Sequence, residues 1–283
     1  MSVAGRALVT GASSGIGREI ARVLAARGYA LVVTARRRQR LDELAAELRA
    51  AHGVDVDVVT SDLSSPDGAT ALHDAVAGMG LEIDVLVNNA GHGDPTWYHA
   101  SPWEAHAHTI QLMAVSPARL IHLFVPGMVE RGRGHVVSVC SVAALTPGLP
   151  LHGCYSPTKA FMLRLTQTLA VDYAGTGVTF SATIPGFTES ELLDSSGARG
   201  LTNRLPRFMV AGVGRVAEET VDACLNGTVV YTHTWWNRIS SALIKQLPIR
   251  YAHRTMGLER ERVRKDLPPQ EPLTRSPSRR RSA

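Results

Sequence analysis

The stretch Thr10-Gly-Ala-Ser-Ser-Gly-Ile-Gly17 decides the fold of this 283-residue chain. A short apolar run, Arg6-Ala-Leu-Val-Thr10, leads into it and is typical of a buried strand. An amphipathic helix follows through Ile20 and Leu24 to Arg27. Strand, glycine-rich turn and helix together indicate a dinucleotide site, because glycines let the backbone approach a pyrophosphate and the helix N-terminus presents unpaired N–H groups. A glycine-rich turn without a ligand is the alternative.

Apolar runs and helical patterns alternate along the rest of the chain. We expect further strands at 30–34, 54–60, 83–87, 135–140, 178–184 and 228–232. Helices are predicted between them at about 38–51, 66–77, 102–131, 155–173 and 217–225. Such alternation implies right-handed crossovers and a parallel sheet. The predicted fold class is therefore α/β, a doubly wound parallel sheet of about seven strands flanked by helices, with its ligand at the carboxyl ends of the strands.

The end of the second strand selects between two dinucleotides. A carboxylate there would accept the 2′-hydroxyl of NAD, whereas a guanidinium accommodates the 2′-phosphate of NADP. Neither Asp nor Glu follows Thr34; Ala35 leads into Arg36-Arg37-Arg38 instead. We therefore expect NADP, with Arg36 at the phosphate. The alternative is that these arginines only begin the next, solvated helix.

A second pattern, Tyr155-Ser-Pro-Thr-Lys159, indicates acid–base chemistry. Tyr155 and Lys159 are four residues apart, which places them on one side of a helix. Pro157 is tolerated only in a first helical turn, so the helix is expected to begin close to Tyr155. A tyrosine titrates near pH ~10, and we expect the neighbouring ammonium to lower that pKa. Such a phenol can give a proton to a carbonyl oxygen or take one from an alcohol, although a surface pair is the alternative.

Composition is that of an ordinary globular protein: 45% of the residues are hydrophobic, 19% are charged, and the net charge is +5. No uninterrupted apolar run reaches the ~18 residues of a spanning helix, and the start of the chain does not resemble a secretory signal. Cys140, Cys154 and Cys224 have no C-x-x-C spacing and suit reduced thiols, so a cytoplasmic location is expected. The Pro/Ser/Arg-rich segment 266–283 is interpreted as a disordered basic tail. A solubilising end is favoured over a nucleic-acid partner.

Taken in order, the motifs resemble those of the short-chain dehydrogenase/reductase superfamily. They are Thr10-Gly11…Gly15-Ile16-Gly17, Asp62-Leu63, Asn88-Asn89-Ala90-Gly91, Ser141, Tyr155…Lys159 and Pro185-Gly186. The resemblance covers about residues 5–232 and implies a single-domain Rossmann fold. We accordingly assign residues 1–234 to an NADP-binding catalytic domain that includes a substrate lid at 187–216. Residues 235–265 are expected to form a C-terminal amphipathic helical extension.

The resemblance also implies a role for each motif. Tyr155 would be the general acid/base, Lys159 would hold the nicotinamide ribose and lower the pKa of Tyr155, and Ser141 would hydrogen-bond the substrate oxygen. Ser138 is the weaker candidate for the last role. Besides Tyr155, Lys159 and Arg36, the implied cofactor-binding residues are Gly11, Ser13, Ser14, Gly15, Ile16, Gly17, Asp62, Leu63, Asn89, Ala90, Gly91, Pro185, Gly186, Thr188 and Ser190. The implied activity is hydride transfer that interconverts a ketone or aldehyde with the corresponding alcohol, using NADP(H) and a small-molecule substrate. A homodimer or homotetramer is also implied.

One position departs from the family pattern. Many members carry a fourth catalytic residue, an asparagine that bends its helix and holds a water, where this chain has Met113. A thioether is at best a weak acceptor and cannot replace an amide. Either the backbone or a neighbour such as Ser116 holds that water, or turnover is reduced. The alternative function is therefore an NADP-binding sensor or scaffold with reduced or lost catalysis.

Two further segments leave alternatives open. The histidines after the fourth strand are interpreted as pocket rim or surface and not as a metal site, because no carboxylate or thiolate pattern accompanies them; they are His92, His99, His106 and His108. The segment 235–254 combines apolar residues at helical spacing with basic companions. A helix packed on the protein is favoured, and peripheral contact with an anionic membrane is the alternative. That alternative would favour a lipophilic substrate.

Overall fold

The structure is a computed structural model that describes residues 4–93, 97–146, 153–188 and 210–239. Its centre is a seven-stranded sheet in the order β3-β2-β1-β4-β5-β6-β9, in which every neighbouring pair is parallel. The strands are β1 Arg6–Thr10, β2 Ala30–Ala35, β3 Val56–Thr60, β4 Val85–Asn88, β5 Gly134–Val139, β6 Val178–Ile184 and β9 Val230–Thr232. The predicted α/β fold is confirmed.

Helices cover both faces of the sheet. They are α1 Gly15–Ala26, α2 Arg38–His52, α3 Gly68–Gly78, α4 Trp103–Ile110, α5 Ser116–Glu130, α6 Tyr155–Asp172 and α7 Val213–Leu225. One core lies between the sheet and α1, α2 and α7, and the other lies between the sheet and α3, α5 and α6. Successive strand residues alternate between the two: Val9 faces the first core and Leu8 the second. Both strand faces are therefore apolar, as the continuous apolar runs predicted.

The order of the strands reverses between β1 and β4. From β1 the chain moves outward to β2 and β3, then crosses back to place β4 on the other side of β1. Loops leaving β1 and β4 consequently diverge at their carboxyl ends and open a crevice, which is where open α/β sheets bind their ligands. Thr10 and Asn88 end these two strands.

The long helical region predicted at 102–131 is interrupted. A π-helical turn, Gln111–Val115, separates α4 from α5 and contains Met113. Helical periodicity alone does not predict this turn, because one extra residue changes the phase without changing the apolar character of the segment. By length and composition Trp103–Glu130 could cross a membrane, but 44% of its most apolar window is buried inside the fold. It packs against α3 and the sheet as a core helix.

Near the predicted lid, the structure has order that the sequence did not predict. Phe187–Thr188 (β7) pairs in parallel with Val210–Ala211 (β8), and α7 begins at Val213, four residues before its predicted start. Ser190 and most of the lid lie outside the described residues. The same holds for residues 240–265 of the predicted extension and for the whole tail, 266–283, whereas residues 235–239 are helical.

Candidate active site

The glycine-rich turn lies against the loop that follows β4. Gly11 and Gly15 have φ values of +69° and +56°, a region that favours glycine. A Cβ on Gly11 would lie 2.9 Å from Ala90 Cα, and one on Gly17 would overlap Asn89 Nδ2. Larger residues at these two positions would push the turn away from the crevice. The turn delivers the chain to the N-terminus of α1, whose first N–H groups have no helical partners.

A buried threonine joins the two loops. Thr10 Oγ1 donates to Val87 O at 3.0 Å and accepts from the backbone N–H groups of Asn89 at 2.9 Å and Ala90 at 3.1 Å. Asn89 Nδ2 donates in turn to Thr10 O at 2.9 Å. These hydrogen bonds hold Asn89, Ala90 and Gly91 beside the glycine turn. Thr10 was not among the predicted site residues, although it stands inside the motif.

The arginine triplet after β2 divides between two sides of the site. Arg37, not Arg36, contacts the glycine turn: its Nη2 donates to Ser13 Oγ at 2.9 Å and to Ser14 Oγ at 2.7 Å. Arg36 is exposed and lies towards Asp62, where its charge helps to lower the pKa of that carboxyl. The main cause of that lowered pKa is the hydrogen bond from Ser64 Oγ at 2.6 Å. The role of Arg36 at the 2′-phosphate stays a prediction, and sequence reasoning did not single out Arg37.

Ser141, Tyr155 and Lys159 meet where β5 ends and α6 begins. Ser141 caps a 3₁₀ turn, Val142–Ala144, and its Oγ accepts from Ala143 N at 3.2 Å. The helix begins at Tyr155, as Pro157 predicted, and the Tyr155 hydroxyl hydrogen-bonds Ser141. Lys159 is only 7% exposed; its Nζ donates to Val139 O at 2.7 Å and lies 5.8 Å from the centre of the Tyr155 ring. Ser138 is buried, and its Oγ accepts from Thr166 Oγ1 at 3.2 Å.

Burial governs the titration of this cluster. It raises the pKa of Tyr155, and the hydrogen bond from Ser141 offsets part of that effect. It lowers the pKa of Lys159 and raises that of the Cys140 thiol to about 11. The direction for Tyr155 is opposite to the one expected from the sequence. The reason is that helical spacing indicates the proximity of the ammonium but says nothing of how far the phenol is removed from water.

Met113 lies within this cluster. A Cβ on Gly91 would be 3.5 Å from Met113 Sδ and 3.7 Å from Lys159 Nζ, so the thioether, the turn after β4 and the ammonium are close neighbours. Met113 is 2% exposed. Ser116, suggested by the sequence as a substitute anchor, already donates to Leu63 O at 2.6 Å and accepts from Gln111 Nε2 at 3.1 Å. It does not line the cavity beside Lys159.

The far wall of the crevice follows β6. Pro185 O accepts from Val142 N at 2.9 Å, and Thr188 Oγ1 donates to Gly186 O at 3.2 Å. A Cβ on Gly186 would overlap the side-chain amide of Asn237. Asn237, which sequence reasoning did not single out, therefore packs directly on this turn. No pattern in the sequence indicates that contact, because the two residues are far apart in the chain.

One of the histidines in the segment after β4, His106, packs within the protein. His106 stacks on Tyr98 at a centroid distance of 4.2 Å, and its Nε2 lies 2.8 Å from Tyr98 O. His99 and His108 are exposed. Within the described part of the chain, no group of three His, Cys, Asp or Glu side chains is arranged to hold a metal ion.

Comparison with known proteins gives consistent matches. Residues 5–199 match the short chain dehydrogenase family. An uncharacterized oxidoreductase of Myxococcus xanthus is 35% identical over 242 residues, 86% of this chain and 92% of that protein. A very-long-chain 3-oxoacyl-CoA reductase of Danio rerio is 32% identical over 66% of this chain and 60% of its own length. The structure of a short-chain dehydrogenase from Sphingobium yanoikuyae in complex with NADPH matches with a TM-score of 0.74 at 30% identity, covering 86% of this chain and 96% of that one.

Proposed function

The chain belongs to the short-chain dehydrogenase/reductase family of oxidoreductases, and from that premise we propose that it interconverts a ketone or aldehyde with the corresponding alcohol, using NADP(H). The observation that carries this proposal is the meeting of Ser141, Tyr155 and Lys159 at the carboxyl edge of the sheet. Their crevice is the one that the glycine turn enters. Both the acid–base group and the nucleotide cradle therefore serve one site.

The proposed chemistry assigns Tyr155 the proton transfer. An ordinary tyrosine is protonated at neutral pH, and burial raises the pKa of Tyr155 further. The phenol can therefore donate to a carbonyl oxygen that is becoming an alkoxide. Ser141, already hydrogen-bonded to that phenol, is placed to donate to the same oxygen. When bound, the nicotinamide supplies the hydride.

The residues present fit a dinucleotide. Cβ atoms on Gly11 and Gly17 would collide with Ala90 and Asn89, so glycines at these positions let the turn stay packed against the loop after β4. The N-terminus of α1 beside that turn offers N–H donors and a positive dipole to a pyrophosphate. Asp62, Leu63 and the Asn89–Gly91 turn would hold the adenosine half, with Lys159 at the nicotinamide ribose. Thr188 and Ser190, after Pro185-Gly186, would contact the diphosphate and amide. For NADP over NAD, the support is Arg37 on Ser13 and Ser14 with Arg36 beside it.

The test is turnover on a panel of carbonyl compounds. We expect oxidation of NADPH, followed at 340 nm, with ketones or aldehydes that range from small diketones to steroids and acyl thioesters. The relatives' names make 3-oxoacyl thioesters worth including. If NADPH binds tightly but no carbonyl in the panel is reduced, the sensor or scaffold hypothesis suggested by Met113 replaces this one.

Exposed apolar side chains support assembly into a homo-oligomer. Val115 at the π turn is 48% exposed, and on α6 Phe161 is 48% and Val171 is 76% exposed. We propose that α5 and α6 pair with a second copy, which would remove such surface from water. Light scattering on a size-exclusion column measures the mass; a monomer at micromolar concentration would contradict this proposal.

A further inference from the structure

A small cavity lies beside Lys159. It offers about 10 Å³ to the centre of a water-sized sphere, and one ordered water needs roughly 10–15 Å³ on that measure. Its polar lining comes from Thr10, Asn88, Ser138 and Lys159, and Met113 is among its apolar walls. A buried water requires two to four polar partners. The hydrogen bonds of these four residues show which of them has capacity for one.

Two of these four polar residues, Thr10 and Ser138, already form hydrogen bonds within the protein. Thr10 Oγ1 uses its one proton on Val87 O and both acceptor positions on backbone N–H groups. Ser138 Oγ lies 3.2 Å from Thr166 Oγ1 and is held in that pair. Thr10 therefore has no position left for a water, whereas Ser138 Oγ accepts one hydrogen bond and could still contact a water as a second partner.

Asn88 can accept a hydrogen bond from a water. It is 6% exposed, and its Nδ2 donates to Pro117 O at a long 3.5 Å. Its Oδ1 is buried and accepts no hydrogen bond from any group that the structure describes. A buried acceptor left without a donor is costly, and such groups are usually paired with ordered water.

Lys159 can donate a hydrogen bond to the same water. An ammonium has three N–H donors, and within the described residues the single hydrogen bond from Nζ goes to Val139 O. The titratable groups that act on Nζ are Tyr155 on its own helix and Cys140 at the end of β5. The Cys140 thiol is uncharged at neutral pH. No carboxylate is among the charges that act on this buried ammonium in the described structure, so its charge depends on neutral acceptors.

We propose that Asn88 is a positioning residue that holds a water between its Oδ1 and Lys159 Nζ, and that this water keeps Lys159 charged in a site where Met113 supplies no amide. The water donates one proton to Asn88 Oδ1 and accepts an N–H of Lys159. Asn88 does not touch the substrate and acts only through Lys159. Its effect on turnover rests on the function proposed above, whereas the water itself does not.

The water is tested first, by a crystal structure of the full-length protein at a resolution that shows ordered solvent. We expect one water within about 2.7–3.2 Å of both Asn88 Oδ1 and Lys159 Nζ. A dry cavity, or a water bound to Lys159 but not to Asn88, would overturn the proposal. This result is independent of whether the protein reduces any carbonyl, so it separates failure of the inference from failure of the proposed function.

The effect on Lys159 is tested by the pH dependence of kcat/KM for carbonyl reduction. Asn88→Leu removes the acceptor, so the basic limb should move to lower pH by about one unit, as expected when a hydrogen bond to a charged group is lost. Asn88→Asp keeps an acceptor and adds negative charge, so its basic limb should move to higher pH. Ser181→Ala, a buried polar change at a residue that donates to Ala223 O and does not line the cavity, is the control and should leave the limb in place.

Opposite shifts in the two Asn88 variants are the signature that a merely structural role would not produce. Shifts in the same direction, or none in folded variants, would refute the positioning role. Circular dichroism establishes which variants are folded. If Asn88→Leu does not fold, Asn88→Ala, which also removes the acceptor, replaces it and is compared with Asn88→Asp and Ser181→Ala.

Discussion

Replacing Arg37 by alanine should separate the two nicotinamide dinucleotides. In the structure the Arg37 guanidinium donates from Nε to Ser13 Oγ at 3.1 Å and from Nη2 to Ser13 and Ser14 at 2.9 and 2.7 Å. It is therefore already oriented over the glycine turn, and binding a phosphate would cost little further side-chain ordering. NADPH differs from NADH only in its 2′-phosphate, which is a strong acceptor for a planar guanidinium.

The size of the effect follows from the exposure of this site. A hydrogen bond to a charged group is worth about 1.5–3 kcal/mol, but Arg37 is exposed and screening reduces that value. We expect a loss of about 1–2 kcal/mol, which corresponds to roughly a 5- to 30-fold rise in the Kd for NADPH. The Kd for NADH should change by less than about twofold, because NADH has no phosphate there.

The assay is equilibrium binding, by nicotinamide fluorescence or calorimetry, at fixed ionic strength. Arg38→Ala is the matched control, since Arg38 belongs to the same triplet but pairs with Asp42 at 2.9 Å and has a 63% exposed side chain. Arg36→Ala should also weaken NADPH binding more than NADH binding. Equal changes in both Kd values for Arg37→Ala, or the same loss in Arg38→Ala, would refute the reasoning.

Two other predictions follow from the site. Tyr155→Phe should abolish turnover while leaving the circular dichroism spectrum and NADPH affinity unchanged, because only the hydroxyl is lost; retained activity would remove Tyr155 from the mechanism. Thr10→Val should lower the free energy of unfolding by about 2–4 kcal/mol, since the N–H groups of Asn89 and Ala90 lose their shared acceptor. Urea denaturation measures this loss, with the exposed Thr60→Val as control, and equal losses in the two variants would contradict it.

Local patterns predicted most of the fold correctly. The strand β6 at Val178–Ile184 and the start of α6 at Tyr155 lie where apolar runs and Pro157 placed them. Prediction failed where one extra residue shifts the periodicity of a helix, and where a short strand pairs with a segment distant in the sequence. The π turn at Gln111–Val115 is an example of the first, and the β7–β8 pair is an example of the second.

The same distinction between local patterns and long-range contacts applies to the candidate active site. Tyr155 and Lys159 were singled out because their four-residue spacing and their chemistry are visible in the sequence, and the structure brings both side chains together with Ser141. The direction of the pKa of Tyr155 is not visible there, since it depends on burial by elements from elsewhere in the chain. Arg37 was passed over for Arg36 because a triplet of arginines does not indicate which side chain turns towards Ser13 and Ser14.

The sequence by itself determined the family, the alternation of strands and helices, the glycine turn and the proposed acid–base pair. Each motif among these is a short local pattern, and the family follows from the order of the motifs along the chain. Only the tertiary structure decided which groups meet across the crevice: Thr10 with the turn after β4, Met113 with Lys159, and Asn88 with the cavity. The physical reason is that these contacts arise from the adjacency of β1, β4 and β5 in the sheet, which brings together segments from distant parts of the chain.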